Sequence, residues 1–225
     1  LKIIYPTSLA KTIDALNEAF FFGYKLTKTE MVEAAKWIAS RHAQPGSYAS
    51  MFAPGKKDFS QGIVLFTGER VETRAATAHI LGEEACRALN ILKVPDADVS
   101  GALAAATSGI QERIDEHTYE TGIYCCGKCS VALWRHLSVG KLRDPERILK
   151  AGLDALKCRR QDNGRWRSFP FYYTLLALNE MDMPVAIGEM RHAALSLERL
   201  LGRIPKSDKI YQRRRTLAER VLAKC

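Results

Sequence analysis

Apolar positions recur at helical spacing along nearly the whole chain, and the interruptions fall at Gly and Pro, where helix boundaries are expected. The pattern predicts nine helices, over Ser8–Phe22, Thr27–His42, Val71–Leu92, Ala97–Asp115, Gly127–Val139, Pro145–Arg160, Pro170–Met181, Pro184–Leu201 and Ser207–Ala223. Pro145, Pro170 and Pro184 suit a first helical turn, where the missing N–H has no intrahelical partner to lose. Only GIVLFTG, Gly62 to Gly68, has strand length and β-branched content, and a lone strand has no sheet to join. It reads as a loop or a short hairpin arm. The predicted class is all-α, in one domain spanning residues 1–225.

A repeat underlies this pattern. Three times a helix ends in Gly, one residue and an aromatic ring: GSY at Gly46–Tyr48, GIY at Gly122–Tyr124 and GRW at Gly164–Trp166. A helix rich in small residues follows each. The units run over about 27–92, 97–139 and 145–181, with a final hairpin at 184–225. A helical hairpin cannot bury its apolar face alone, so stacked hairpins complete one another's core. Gly lets the chain leave a helix at positive φ, the ring packs on helix ends, and the Gln161 amide is expected to bond unpaired backbone groups.

Gln161, Gly164 and Trp166, followed by YYTLLAL, resemble the Q-x-x-G-x-W repeat of the terpenoid cyclase and protein prenyltransferase superfamily, an α/α toroid of inner and outer helices. The similarity covers about Thr27 to Leu201. It implies a cavity lined from the inner helices. A closed toroid needs more hairpins than this chain supplies, so an open arc is expected, completed by a second copy or a missing domain. The D-x-D-D acid motif of the triterpene cyclases is absent, its nearest approach being Asp96-Ala97-Asp98-Val99, and the prenyltransferase zinc constellation has no counterpart that can be placed. Terpene cyclisation is therefore not expected.

With 225 residues, 47% of them apolar, the chain can bury a substantial core. No apolar cluster approaches the roughly 20 residues of a membrane span. Six scattered cysteines suit free thiols in a reducing compartment, and a cytoplasmic location is expected. The net charge of +9 gathers at the C-terminal end, where nine Lys and Arg between Arg199 and Lys224, Arg203 and Lys206 among them, face Asp208 and Glu219. YQRRR, with Arg213, Arg214 and Arg215, is a candidate surface for nucleic acid or an acidic protein; apolar Ile210, Leu217, Val221 and Leu222 on the same helix also suit docking on the body.

Aligning three inner helices on Ala76, Ser130 and Thr174 puts Arg74, Lys128 and Tyr172 in their first turns, where free N–H groups and the helix dipole favour an anion. These residues, with Tyr173 and Trp166, form the candidate ligand-binding set. His79 and Glu83, at i and i+4, are the candidate catalytic acid–base pair. YCCGKC offers two further readings. Cys126, Cys129 and His136, beside Cys125, are candidate zinc ligands, although no second C-x-x-C or H-x-x-x-H completes a structural site, and no cofactor is predicted. CGKC at a helix start also resembles a dithiol redox motif, although no sheet precedes it. The functional expectation is a ligand-binding protein with a concave basic and aromatic site for a small anionic, partly apolar or amphipathic compound. The alternatives are a helical interaction scaffold acting through the basic C-terminal third, and an enzyme using His79 and Glu83.

Overall fold

The computed structural model describes residues 2–117, 120–202 and 208–225, and the protein is all-α apart from one small hairpin. In chain order the elements are α1 (Leu9–Phe22), α2 (Lys28–Ala39), α3 (Lys56–Gln61), β1 (Ile63–Val64), β2 (Arg70–Val71), α4 (Arg74–Leu92) and α5 (Ala97–His117), then α6 (Gly127–Leu137), α7 (Pro145–Lys157), α8 (Phe171–Glu180), α9 (Pro184–Leu201) and α10 (Lys209–Ala223). Side chains set several starts. Ser8 Oγ accepts the Lys11 N–H, Thr27 and Glu30 form a reciprocal box, and Thr73 Oγ1 accepts the Ala76 N–H at 3.2 Å. Pro145 and Pro184 open α7 and α9, as their missing N–H allows.

The pattern of apolar positions overlooks α3, a helix of six residues with too little apolar periodicity to register. Its anchor is polar. Buried Asp58 accepts the N–H groups of Gly55 (2.7 Å) and Leu9 (2.8 Å) and the Ser8 hydroxyl (2.5 Å), joining the start of α3 to the start of α1. The GIVLFTG stretch forms one arm of an antiparallel hairpin, Ile63 opposite Val71 and Val64 opposite Arg70.

Burial separates two kinds of helix. Along α4, α6 and α8 nearly every side chain is enclosed, whereas α7 buries one stripe, Ile148, Leu149, Gly152, Leu153 and Leu156. α4 packs on α6 and α6 on α8; α5 and α2 lie on α4, α7 on α6 and α9, while α1 covers α4 and α10 covers α8 and α9.

The three junction glycines take positive φ, +91° at Gly46, +61° at Gly122 and +72° at Gly164. Gly122 also permits a close approach, since a Cβ there would lie 2.2 Å from the Gly152 nitrogen. Trp134 Nε1 donates to the Gly122 carbonyl at 2.7 Å, so this junction is tied to α6 as well as α7. The Gln161 amide does not act as expected. Its side chain is exposed, and the turn is closed by backbone bonds, Gln161 N–H to Arg165 O at 2.9 Å and Gly164 N–H to Gln161 O at 3.0 Å. Trp166, 2% exposed, donates to Glu189 on α9 at 2.8 Å and fastens the entry of α8 to that helix.

The basic C-terminal helix is largely engaged within the chain. Arg213, 3% exposed, binds Asp14, Glu18 and the Phe66 carbonyl and lies 4.0 Å from the Phe66 ring centroid. Arg214 donates to Thr67 O at 2.7 Å and covers the Tyr172 ring, and Arg215 pairs with Glu219. Arg203, Lys206 and the expected helix start at Ser207 lie outside the described residues. Among the described residues, no helix is long and apolar enough to cross a membrane.

Candidate functional site

The i,i+4 spacing of His79 and Glu83 puts both on one face of α4, and that face is turned into the α4–α6 contact. His79 Nε2 lies 3.2 Å from one Glu83 oxygen, and His136 Nδ1, from α6, lies 2.6 Å from the other. None of the three is more than 2% exposed. A carboxylate buried this deeply is costly unless charge and hydrogen bonds compensate it. Burial pushes the Glu83 carboxyl upward, but the bonds from His136 and His79 outweigh it and bring the pKa down to about 2. Burial likewise opposes charge on His79, yet the neighbouring Cys125 sulfur and the bond to Glu83 raise its pKa to about 9.

The GIY junction and the first turn of α6 bring two thiols, Cys125 and Cys129, to His79, with Cys126 between them at the start of the helix. Ser130 Oγ accepts the Tyr124 N–H (2.9 Å) and donates to Cys126 O (2.8 Å), fixing the turn that carries Cys125 and Cys126. Gly127 keeps the start of α6 against the 168–169 segment, since a Cβ there would lie 2.2 Å from Ser168 O. A ring nitrogen of His79 and the Sγ atoms of Cys125 and Cys129 lie within 4.8 Å of one another. Because Glu83 holds Nε2, Nδ1 is the nitrogen left to meet the sulfurs, and it is buried with no hydrogen-bond partner. Cys126 caps α6, its Sγ accepting the Cys129 N–H at 3.5 Å. The Cys129 thiol bonds to it, which with the Cys129 and Lys128 N–H groups brings the Cys126 pKa down to about 5 and pushes Cys129 up.

Two junction rings enclose the cluster. Tyr48 stacks on His79 with centroids 4.5 Å apart, Tyr124 meets the same imidazole edge-on at 4.2 Å, and the two hydroxyls are 2.6 Å apart. The GSY and GIY junctions thus converge on one histidine. Trp166, from the third, packs instead against Phe171 and His192.

The remaining expected residues disperse. Tyr173 is 1% exposed, with its hydroxyl on Glu84, and Tyr172 lies beneath Arg214. Lys128 is half-buried in the first turn of α6, and Arg74 is exposed at the start of α4. Arg74 instead lines a groove of about 640 Å³ with Lys56, Tyr48, Phe59, Ala75 and Ala78. Of the three zinc candidates only Cys129 belongs to the metal-competent group; His136 binds Glu83, and Cys126 lies outside the trio. Tyr48 and the bridging role of Glu83 are the features the candidate set lacked, and Cys125, noted beside the zinc candidates, is a member of the trio. The Cys125–Cys126 doublet and the shared Gly–x–ring junctions were their sequence signals. A His/Cys/Cys cluster compatible with a metal ion is therefore present. No protein-family model matches the chain, and neither a curated protein nor a solved structure matches it.

Proposed function

We propose that His79, Cys125 and Cys129 bind a soft divalent metal ion of the zinc type, and that this centre is the working site of the protein. One observation carries the reading: a fully buried imidazole is anchored through Nε2 on Glu83 while Nδ1, without a partner, is left to two thiols. A ligating histidine commonly donates its second nitrogen to a carboxylate, which fixes the tautomer and strengthens the ligand. Glu83 is suited to that task, and His136 holds the opposite carboxylate oxygen. Tetrahedral zinc with Zn–S bonds of about 2.3 Å separates its sulfurs by about 3.8 Å, so only a small contraction of the cluster is required. Cys125 lies on an exposed turn that can supply it.

Three protein ligands leave a fourth position for a solvent or substrate atom, the arrangement of catalytic rather than structural zinc. Such an ion supplies Lewis-acid activation of the atom bound there. Around it this chain contributes an oriented imidazole, a buried carboxylate that holds a proton on His79 Nε2, and two tyrosine rings that restrict water. The buried α4, α6 and α8 with α5, α7 and α9 beside them support an arc of the α/α-toroid kind, the centre lying where α4 and α6 begin.

The test is metal analysis of protein purified under reducing conditions, with cobalt substitution as the spectroscopic readout. One equivalent of metal and a thiolate-to-cobalt charge-transfer band are expected, both lost in Cys125→Ser and Cys129→Ser. Wild-type protein that takes up neither zinc nor cobalt sinks the reading. The capping position of Cys126 favours a second one, a dithiol in which the Cys126 thiolate attacks a partner disulfide and Cys129 resolves the mixed disulfide, leaving Cys126–Cys129 oxidised and the partner as two thiols. It requires rapid alkylation of Cys126 at pH 6 and a Cys126–Cys129 disulfide after treatment with a small-molecule disulfide.

A further inference from the structure

Tyr48 belongs to two environments. One is the stack on His79; the other is the groove between α3, the GSY junction and the first turns of α4. Its volume of about 640 Å³ lies in the range of small-molecule sites. Tyr48, Phe59, Ala75 and Ala78 give it apolar walls, and Lys56 and Arg74 supply two cations. Neither cation is paired with a carboxylate among the described residues, although many other arginines in the chain are. Gly46, at φ +91°, also lines the groove and lies so close to Phe59 that a Cβ there would be 2.9 Å from its ring.

We propose that this groove binds a small organic anion with a ring-bearing apolar body, the ring seated against Tyr48 and Phe59 and the anionic group held by Lys56 and Arg74. Aromatic walls favour a flat apolar body through stacking and area burial, and a charge-assisted bond to guanidinium or ammonium fixes the anionic end. Two cations on one groove match a single anionic group; a nucleic-acid backbone demands a longer row of them. The occupant then lies on the Tyr48 ring, whose stack leads to His79. Its assignment as substrate of the metal centre rests on the metal reading; binding in the groove does not.

The probe is 8-anilinonaphthalene-1-sulfonate, followed by its fluorescence on titration into the folded protein, with uncharged N-phenyl-1-naphthylamine as the control. Saturable binding at one site is expected. Lys56→Gln with Arg74→Gln should weaken it by roughly tenfold or more, the effect of losing charge-assisted contacts, while the neutral control binds both proteins equally. Both positions are exposed, so folding should survive, and circular dichroism checks that it does. Equal affinity of the sulfonate for wild type and the double variant overturns the groove, as does failure to saturate. Cys125→Ser should bind the probe like wild type, so loss of the metal reading leaves this result standing. Cobalt in the centre should quench the bound probe; retained binding without quenching overturns the link between groove and metal.

Discussion

Glu83 and Glu84 are consecutive on α4, both essentially inaccessible to water, and they face different company. Glu84 accepts hydrogen bonds from Arg135, the Tyr173 hydroxyl and Asn17, and Arg135 also holds Glu180 through two bonds of 2.8 Å. Arg87 joins Glu180 at 2.7 Å and Asn17 at 2.9 Å. Two guanidinium groups thus balance two carboxylates. Burial pushes the Glu84 carboxyl up, but the charges of Arg135 and Arg87 outweigh it and hold it below the usual range. Glu83 is equally buried, yet its partners are two imidazoles, each with a second nitrogen that has no hydrogen-bond partner, and that of His79 lies beside two thiols. Burial of charge does not separate structure from function on this helix. Saturation of the carboxylates' partners does: in the nearly closed Glu84 network guanidinium groups face carboxylates and only Arg87 Nε is left over, whereas in the open Glu83 cluster each histidine keeps an unpartnered ring nitrogen.

That contrast is open to measurement, most strongly on the closed side. Arg135→Met removes the guanidinium bonded to Glu84 and one of the two bonded to Glu180, leaving Arg87 alone against two carboxylates, and breaking a buried pair from one side costs about 3–5 kcal/mol. Urea denaturation should show a loss of that size, while zinc content per folded chain stays at the wild-type value. On the open side the order reverses. Glu83→Gln retains size and hydrogen-bonding atoms, so folding should suffer less, but loss of the carboxylate behind a ligating histidine typically weakens metal affinity by about 10–100-fold. Competition for zinc against a chromophoric chelator measures it. If Glu83→Gln leaves affinity intact while Arg135→Met abolishes it, the assignment of the two glutamates is inverted.

pH provides the next discrimination. In metal-free protein the His79 pKa is raised from 6.5 to about 9, so its contribution to stability is fully present below about 6.5 and is lost as pH rises through 9. The difference between pH 6 and pH 10 should be up to about 3 kcal/mol and should disappear in His79→Gln. Zinc must displace the proton on the nitrogen it takes, so its affinity should climb over the same interval. Glu84, held low, behaves in the opposite sense. Its contribution is present above about 4.5 and disappears as acid protonates it.

The sequence carried the helices well because their apolar stripes and Pro starts are local signals. Pro184–Leu201 appears with the boundaries read from periodicity, and the glycine junctions take the positive φ their position implied. α3 escaped because its stability comes from Asp58 reaching across to Ser8 and Leu9, contacts that no periodicity encodes. The His79–Glu83 spacing was legible for the same local reason. Cys125 and His136 were harder to assign, since which thiol meets His79 depends on a turn fixed by Ser130, and the partner of His136 depends on how α4 and α6 pack. Aligning repeats from one sequence also treated Tyr172 as the equivalent of Arg74, although in the third unit Tyr172 lies under Arg214 of α10 and Trp166 is bonded to Glu189 of α9.

The smallest expected effect tests whether the tyrosines belong to the open cluster or merely cover it. Tyr48→Phe removes one hydroxyl from the 2.6 Å pair with Tyr124 and leaves the ring stacked on His79. Both rings are half-buried, so water can replace the lost partner and the cost should be about 0.5–1 kcal/mol, at the low end for a hydrogen bond. The Tyr124 phenol, raised in pKa by burial and by its bond to Tyr48, should then ionise at lower pH, which ultraviolet titration follows. Zinc affinity should not change, because neither hydroxyl is among the ligand atoms and the stack survives. A drop in affinity as large as that of Glu83→Gln would make the hydroxyl pair part of the centre, and the line between saturated and unsaturated polar groups would have to be redrawn to include it.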